Sequence, residues 1–214
     1  MKNIYLFSGL GADRRVYQPI DFSGFNLVHI EWIKPPANES IAHYVGRLRS
    51  QIKTEEPTLI GLSFGGILAI EMAKQLQTER VVIISSVKTH NEVPFVFRLL
   101  APLRLHRLVP ASAFTQPNTI LHHAFGCKDE QSKKLLNNIL RDTDPDFLKW
   151  GMEAIMLWKS TTQLHNLVHI HGTADRIFPY KNAHCDIIIK DGSHFMIFDK
   201  AKELTAILQK IIKA

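Results

Sequence analysis

A three-layer α/β fold, with a mostly parallel sheet of about six strands between helices, is predicted by three features of the sequence. Short apolar runs rich in branched residues recur: IYLF from Ile4, LVHIEWI from Leu27, TLIGLS from Thr58, VVIISSV from Val81, LVHIHG from Leu167 and DIIIK from Asp186. They are uninterrupted rather than alternating, which suits strands buried on both faces of a parallel sheet. Segments of helical period separate several of them, as right-handed crossovers require. One long interval, from about residue 88 to residue 160, carries helical patterns and no clear strand.

Taken in order, the Ile4 run opens the sheet and leads into a glycine-containing loop, SGLGADRR, before the Leu27 run. Ser40 is placed to cap a helix whose apolar face is Ile41, Tyr44, Val45 and Leu48. The Thr58 strand is followed by a helix with Ala69, Met72, Ala73 and Leu76 on one face, and the Val81 strand comes next. Within the 88–160 interval a helix begins near Asp129 with Leu135, Leu136, Ile139 and Leu140. Another starts with Asp144 at the cap and Pro145 as first helical residue. Its stretch FLKWGMEAIMLW is apolar around most of its circumference, so packing on more than one side is expected. The interval reads as a helical insertion over the sheet, before the Leu167 strand, or as one large crossover connection. After the Asp186 strand, Asp199 is placed to cap a closing helix with Leu204, Ile207, Leu208 and Ile211.

A length of 214 residues suits a single domain, 1–214, with 88–160 as its insertion. The net charge of +6 comes from scattered basic residues, which favours solubility and steering over a nucleic-acid site. Arg98, Arg104 and Arg107 either touch an anionic headgroup or substrate, or form a solvated helix edge. The amino terminus lacks the pattern of a secretory signal, and no stretch is long and apolar enough to cross a bilayer. Cys127 and Cys185 fit two free thiols in a reducing compartment, so a cytoplasmic location is expected.

Chemistry concentrates at IGLSFGG, residues 60–66. Gly61, Ser63 and Gly65 fit G-x-S-x-G between a strand-like run and a helical pattern, where the turn lifts the serine hydroxyl out and the glycines admit close packing. A serine hydroxyl is a poor nucleophile unless a base takes its proton, and the base needs an acid to orient it. Asp175 lies just beyond the Leu167 strand in HGTADRIFP, and His194 just beyond the Asp186 strand in DGSHF. Both thus fall at carboxyl ends of strands, where open parallel sheets bind ligands. Asp186 and Asp191 compete for the acid role, with Asp191 more suited to ordering its own loop. The preceding strand offers no carboxylate until Glu92. Asp13 is either a helix cap or a substrate contact. His165, His169 and His171 lack a fourth ligand at suitable spacing, so no metal is expected, and His122 and His123 read as an ordinary helix or loop pair.

Through GLSFGG, HGTADRIFP and GSHF the chain resembles the α/β-hydrolase superfamily along essentially its whole length. The resemblance implies Ser63 as nucleophile, His194 as base and Asp175 as acid. It also implies an oxyanion hole from the backbone N–H groups of Leu10 and Phe64, although Ser8 stands where the family usually has histidine. The resemblance begins at the strand before the oxyanion loop, so the family's first two strands are not expected. The implied activity is hydrolysis of a small-molecule carboxylic ester or thioester, with no cofactor. Trp150, Met152, Met156 and Trp158 either line an acyl pocket or join the insertion to the core. A fold of this kind can also persist as a catalytically silent ligand-binding or partner-binding module, or handle lipid at a membrane surface.

Overall fold

The computed structural model describes residues 1–100, 115–116 and 118–213. Each of the six apolar runs forms a strand: β1 (Asn3–Phe7), β2 (Asn26–His29), β3 (Thr58–Leu62), β4 (Arg80–Ile84), β5 (Leu167–Gly172) and β6 (Ile187–Ile189). They make one sheet in the order β2-β1-β3-β4-β5-β6, and every pairing is parallel. The chain winds outward from β1 to β2, then returns to β3 and proceeds the other way. This reversal leaves a crevice at the carboxyl ends of β1 and β3, where open α/β sheets accept ligands.

Alternation along the strands divides the core between the two faces of the sheet. Tyr5, Phe7 and Leu59 pack on one side with the helices α1 (Ile41–Leu48) and α2 (Phe64–Ala73). Ile4, Leu6 and Ile60 pack on the other with Tyr17, Met196, Leu204 and Leu208. Burial on both faces accounts for the continuous apolar runs of β1, β3 and β4, whereas the edge strands β2 and β6 leave Leu27 and Ile188 exposed. Helix α2 lies almost wholly inside, with every residue from Phe64 to Met72 buried. Its Glu71 carboxylate is matched there by Lys74 Nζ at 2.8 Å and by the Trp158 indole N–H at 2.7 Å.

Between β4 and β5 the described residues form α3 (Phe95–Leu100), α4 (Thr119–Phe125), α5 (Glu130–Asp142) and α6 (Pro145–Leu157), with no strand. Asp129 and Asp144 cap α5 and α6 as their positions predict, each accepting backbone N–H groups of the first turn. Arg104 and Arg107 lie outside the described residues. The last two helices are α7 (Met196–Asp199) and α8 (Ala201–Lys213).

Three expectations are corrected at element ends. The Leu27 run leaves the sheet after His29, and α2 stops at Ala73, so Leu76 lies beyond it. Asp199 ends α7 instead of capping α8, because Leu204 N–H bonds the Lys200 carbonyl at 2.9 Å and the new helix therefore starts one residue later. Among the described residues no helix is long and apolar enough to cross a membrane.

Candidate active site

Ser63 sits between β3 and α2 with φ 52° and ψ −120°, a conformation that costs a non-glycine residue about 1–3 kcal/mol. The surroundings hold it there: Ser63 N–H donates to the Ile84 carbonyl at 2.8 Å, and the Ser86 hydroxyl donates to the Ser63 carbonyl at 2.7 Å. The flanking glycines are required by space. A Cβ on Gly61 would lie 2.3 Å from the Gly65 carbonyl oxygen, and one on Gly65 would lie 2.1 Å from that of Phe7. Helix α2 can therefore start directly against the ends of β1 and β3. Its first residue is Phe64, whose N–H has no intrahelical acceptor.

Asp175 and His194 converge on this serine from the ends of β5 and β6. His194 Nε2 lies 2.9 Å from Ser63 Oγ, and His194 Nδ1 lies 2.8 Å from Asp175 Oδ2. A carboxylate only accepts, so the proton resides on Nδ1 and the Nε2 lone pair faces the serine hydroxyl. The other carboxylate oxygen, Oδ1, accepts N–H groups from Ile177 and Phe178, both at 2.9 Å. The side chain of Asp175 is completely buried, and that of His194 nearly so. The rings of Phe125 and Phe178 stand edge-on to the imidazole, with centroids at 5.3 and 5.7 Å.

The competing carboxylates have other partners. Asp186 accepts from His169 N–H and from Lys88 Nζ. Asp191 is exposed at φ 57°, and its own N–H donates to Thr173 Oγ1. Asp13 caps the short helix at Arg14–Tyr17 and pairs with Arg15. His122 and His123 lie on α4. Cys127 and Cys185 are free thiols, with burial pushing Cys127 up to about 11.

A feature not anticipated from the sequence lies behind the acid. His171 Nε2 donates to the Phe178 carbonyl at 2.8 Å and lies 3.7 Å from Asp175 Oδ2, while His169 Nε2 lies 3.0 Å from His171 Nδ1. Since His171 must donate through Nε2 to a carbonyl, its Nδ1 accepts from His169. Burial lowers the pKa of both imidazoles, the His169 value to about 2. Unfolded histidine titrates near pH 6.5, so below that pH the unfolded chain binds protons that the folded chain refuses. Stability is therefore full above about pH 6.5 and falls as pH drops, by up to about 1.4 kcal/mol per pH unit for each imidazole. Thermal midpoints from pH 7.5 down to pH 5 check this. His169→Gln, which keeps a donor for His171 but does not titrate, makes the decline shallower, and an unchanged slope would contradict the assignment.

A cavity of about 440 Å³ opens onto Ser63. Its walls come from Leu10 and Val16 near the first loop, from Leu121 and Phe125 of α4, from the α5 residues Leu136, Ile139 and Leu140, and from α6. Among the described lining residues the polar side chains are Ser63, His194 and Asn118, and none is charged. Met152 and Met156 line it, whereas Trp150 and Trp158 lie outside it. Trp150 packs among Tyr44, Phe64 and Phe147 and donates to the Glu39 carbonyl, and Trp158 donates to Glu71, so the two tryptophans join the α6 end of the insertion to α1 and α2. Leu10 occupies a Gly9–Ala12 turn, with Gly11 at φ 72°, and its side chain fills the space left by Gly151.

No family model and no curated protein matches the sequence. Solved structures do match in shape. A lipase-esterase related protein from Clostridium acetobutylicum ATCC 824 superposes with a TM-score of 0.75 at 17% identity, covering 98% of this chain and 94% of that one. A hydrolase from Pseudomonas aeruginosa PA01 gives 0.76 at 13% identity over 100% and 90%. The enol-lactonase from Burkholderia xenovorans LB400 gives 0.68 at 16% identity over 100% and 92%. With a six-stranded parallel sheet, TM-scores of 0.75 and 0.76 and near-complete mutual coverage, the chain adopts the α/β-hydrolase fold.

Proposed function

We propose that the protein is a serine hydrolase that cleaves an uncharged carboxylic ester or thioester with an apolar acyl group. The observation that carries this reading is the unbroken hydrogen-bonded line Asp175–His194–Ser63, ending at the wall of an apolar cavity. The names of the similar structures, a lipase-esterase related protein and an enol-lactonase among them, agree with ester chemistry.

In the first half-reaction Ser63 Oγ attacks the acyl carbon as His194 Nε2 takes its proton, and Asp175 stabilises the resulting imidazolium. The carbonyl π electrons move onto oxygen, where the N–H groups of Leu10 and Phe64 serve as the oxyanion hole. Losing one such donor typically costs about 3–4 kcal/mol of transition-state stabilisation. Collapse of the intermediate expels the alcohol or thiol, which takes the proton from His194. Water then attacks the acyl-Ser63 ester with His194 again as base, releasing the acid and restoring the serine. In this reading 88–160 is a cap insertion within one domain, and its described helices α4, α5 and α6 enclose the acyl group.

A series of p-nitrophenyl esters of increasing acyl length tests the proposal. Each methylene taken into the cavity is worth about 0.8 kcal/mol, so kcat/KM rises about fourfold per carbon until the cavity is filled. A monoester bearing a free carboxylate at the far end of its acyl chain reacts poorly, since none of the described lining residues is a cation. Absence of turnover on every ester and thioester would contradict the reading. Saturable binding of the same compounds without turnover would identify a silent ligand-binding module instead.

A further inference from the structure

We propose that the C-terminal turn of α4, Phe125–Gly126, is a positioning element for His194, so that one wall of the acyl cavity also sets the base against Ser63. The inference rests on the hydrolase reading above. Three consecutive residues of the His194 loop are held by this turn. Gly126 packs on Ser193, the Phe125 ring stands edge-on to the His194 imidazole at 5.3 Å and 80°, and Phe195 N–H donates to the Phe125 carbonyl at 3.0 Å. A second tie reaches the acid loop, where Arg176 Nη1 donates to the His123 carbonyl at 2.8 Å.

Helix α4 has no buried residue of its own, so core burial does not hold it in place. These contacts, together with the His122 Nε2–Asn137 Oδ1 hydrogen bond to α5 at 2.6 Å, hold it, and the same turn braces the His194 loop in return. Gly126 is the tightest point. It closes α4 at φ 81°, and a Cβ there would lie 2.3 Å from Ser193 Cβ and 2.9 Å from Ser193 Oγ. Any side chain at 126 must push the turn off the residue that precedes the base. Phe125 and Leu121 line the cavity from the same helix, so an acyl group packed against α4 presses on the element that orients His194.

Displacing a reacting group by about 1 Å can cost on the order of 100-fold in rate. Gly126→Ala is therefore expected to lower kcat on p-nitrophenyl acetate by about 10- to 100-fold, with KM little changed and the rate of fluorophosphonate labelling of Ser63 reduced in parallel. Gly24→Ala is the control for backbone strain, because Gly24 has φ 90° and a Cβ there meets nothing within 4 Å. It leaves activity at the wild-type level. In a Ser193→Gly background the obstructing Cβ is gone, and adding Gly126→Ala no longer lowers kcat. Should Gly126→Ala fail to fold, Phe125→Leu removes the ring contact and keeps an apolar wall, and a loss of kcat on the acetyl ester is again expected.

Wild-type kcat on acetate in either folded variant, a change confined to KM of long-chain esters, or a loss equally large in the Ser193→Gly background would overturn the proposal while leaving the hydrolase reading intact. A wild-type protein that neither labels nor hydrolyses would overturn both.

Discussion

Ser63→Ala lowers kcat on a p-nitrophenyl ester by a factor on the order of 10⁶ and leaves the fold in place. In the proposed mechanism the loss is large because serine and histidine act as one unit. Without Oγ, the lone pair that His194 holds 2.9 Å away has no hydroxyl to activate. The fold survives because the anchors of residue 63 are backbone groups. The Ile84 carbonyl and the Ser86 hydroxyl bond the main-chain N–H and C=O of residue 63, so alanine inherits the same φ and ψ. Steady-state rates together with a thermal midpoint measured on the same preparation check both halves. A variant that retains more than about 1% of wild-type kcat would exclude Ser63 as the nucleophile, given the expected size of the loss.

Asp175→Asn is the second large effect, a fall in kcat of about 10⁴-fold with the geometry preserved. The structure dictates which way the new amide turns. Oδ1 receives two backbone N–H groups, from Ile177 and Phe178, and an NH₂ group there would meet two donors. The asparagine therefore keeps its oxygen toward those groups and points its NH₂ at His194 Nδ1. The imidazole must then accept on Nδ1 and carry its proton on Nε2, which faces Ser63 and cannot take a proton from it. Asp191→Asn is the contrasting variant. That carboxylate is exposed, and its substitution leaves turnover near wild type. Full activity in Asp175→Asn would contradict the acid assignment.

Much of this arrangement is legible along the chain, for identifiable reasons. The inner strands announce themselves because burial on both faces removes the polar alternation that would otherwise blur a short apolar run, as in Leu59, Ile60 and Leu62. The convergence of Ser63, Asp175 and His194 follows from parallel topology, since every strand delivers its following loop to the same edge. Element ends are less legible. Asp199 looks like a helix cap by residue type, yet its carboxylate stands near Ser193 Oγ, at 3.3 Å, and the helix starts beyond it.

The cavity wall is hidden for a different reason. Leu136, Ile139 and Leu140 show helical period, but periodicity does not say whether an apolar face meets another side chain or an open space. The same holds for α6, where Met152 faces the cavity and Trp150, two residues away, faces Tyr44 of α1 and Phe64 of α2. The support of His194 by Phe125 and Gly126 is further still from a sequence signal, because it joins segments about seventy residues apart through a glycine whose lack of a side chain matters only in three dimensions.

The most direct test of the account is covalent labelling with a small fluorophosphonate, read by intact-mass spectrometry and peptide mapping. The expected result is a single adduct on the peptide containing IGLSFGG, lost in Ser63→Ala and much slower in Asp175→Asn. An unlabelled wild-type protein whose fold is intact, or an adduct on a different residue, would contradict the claim that Ser63 is activated by His194 and Asp175.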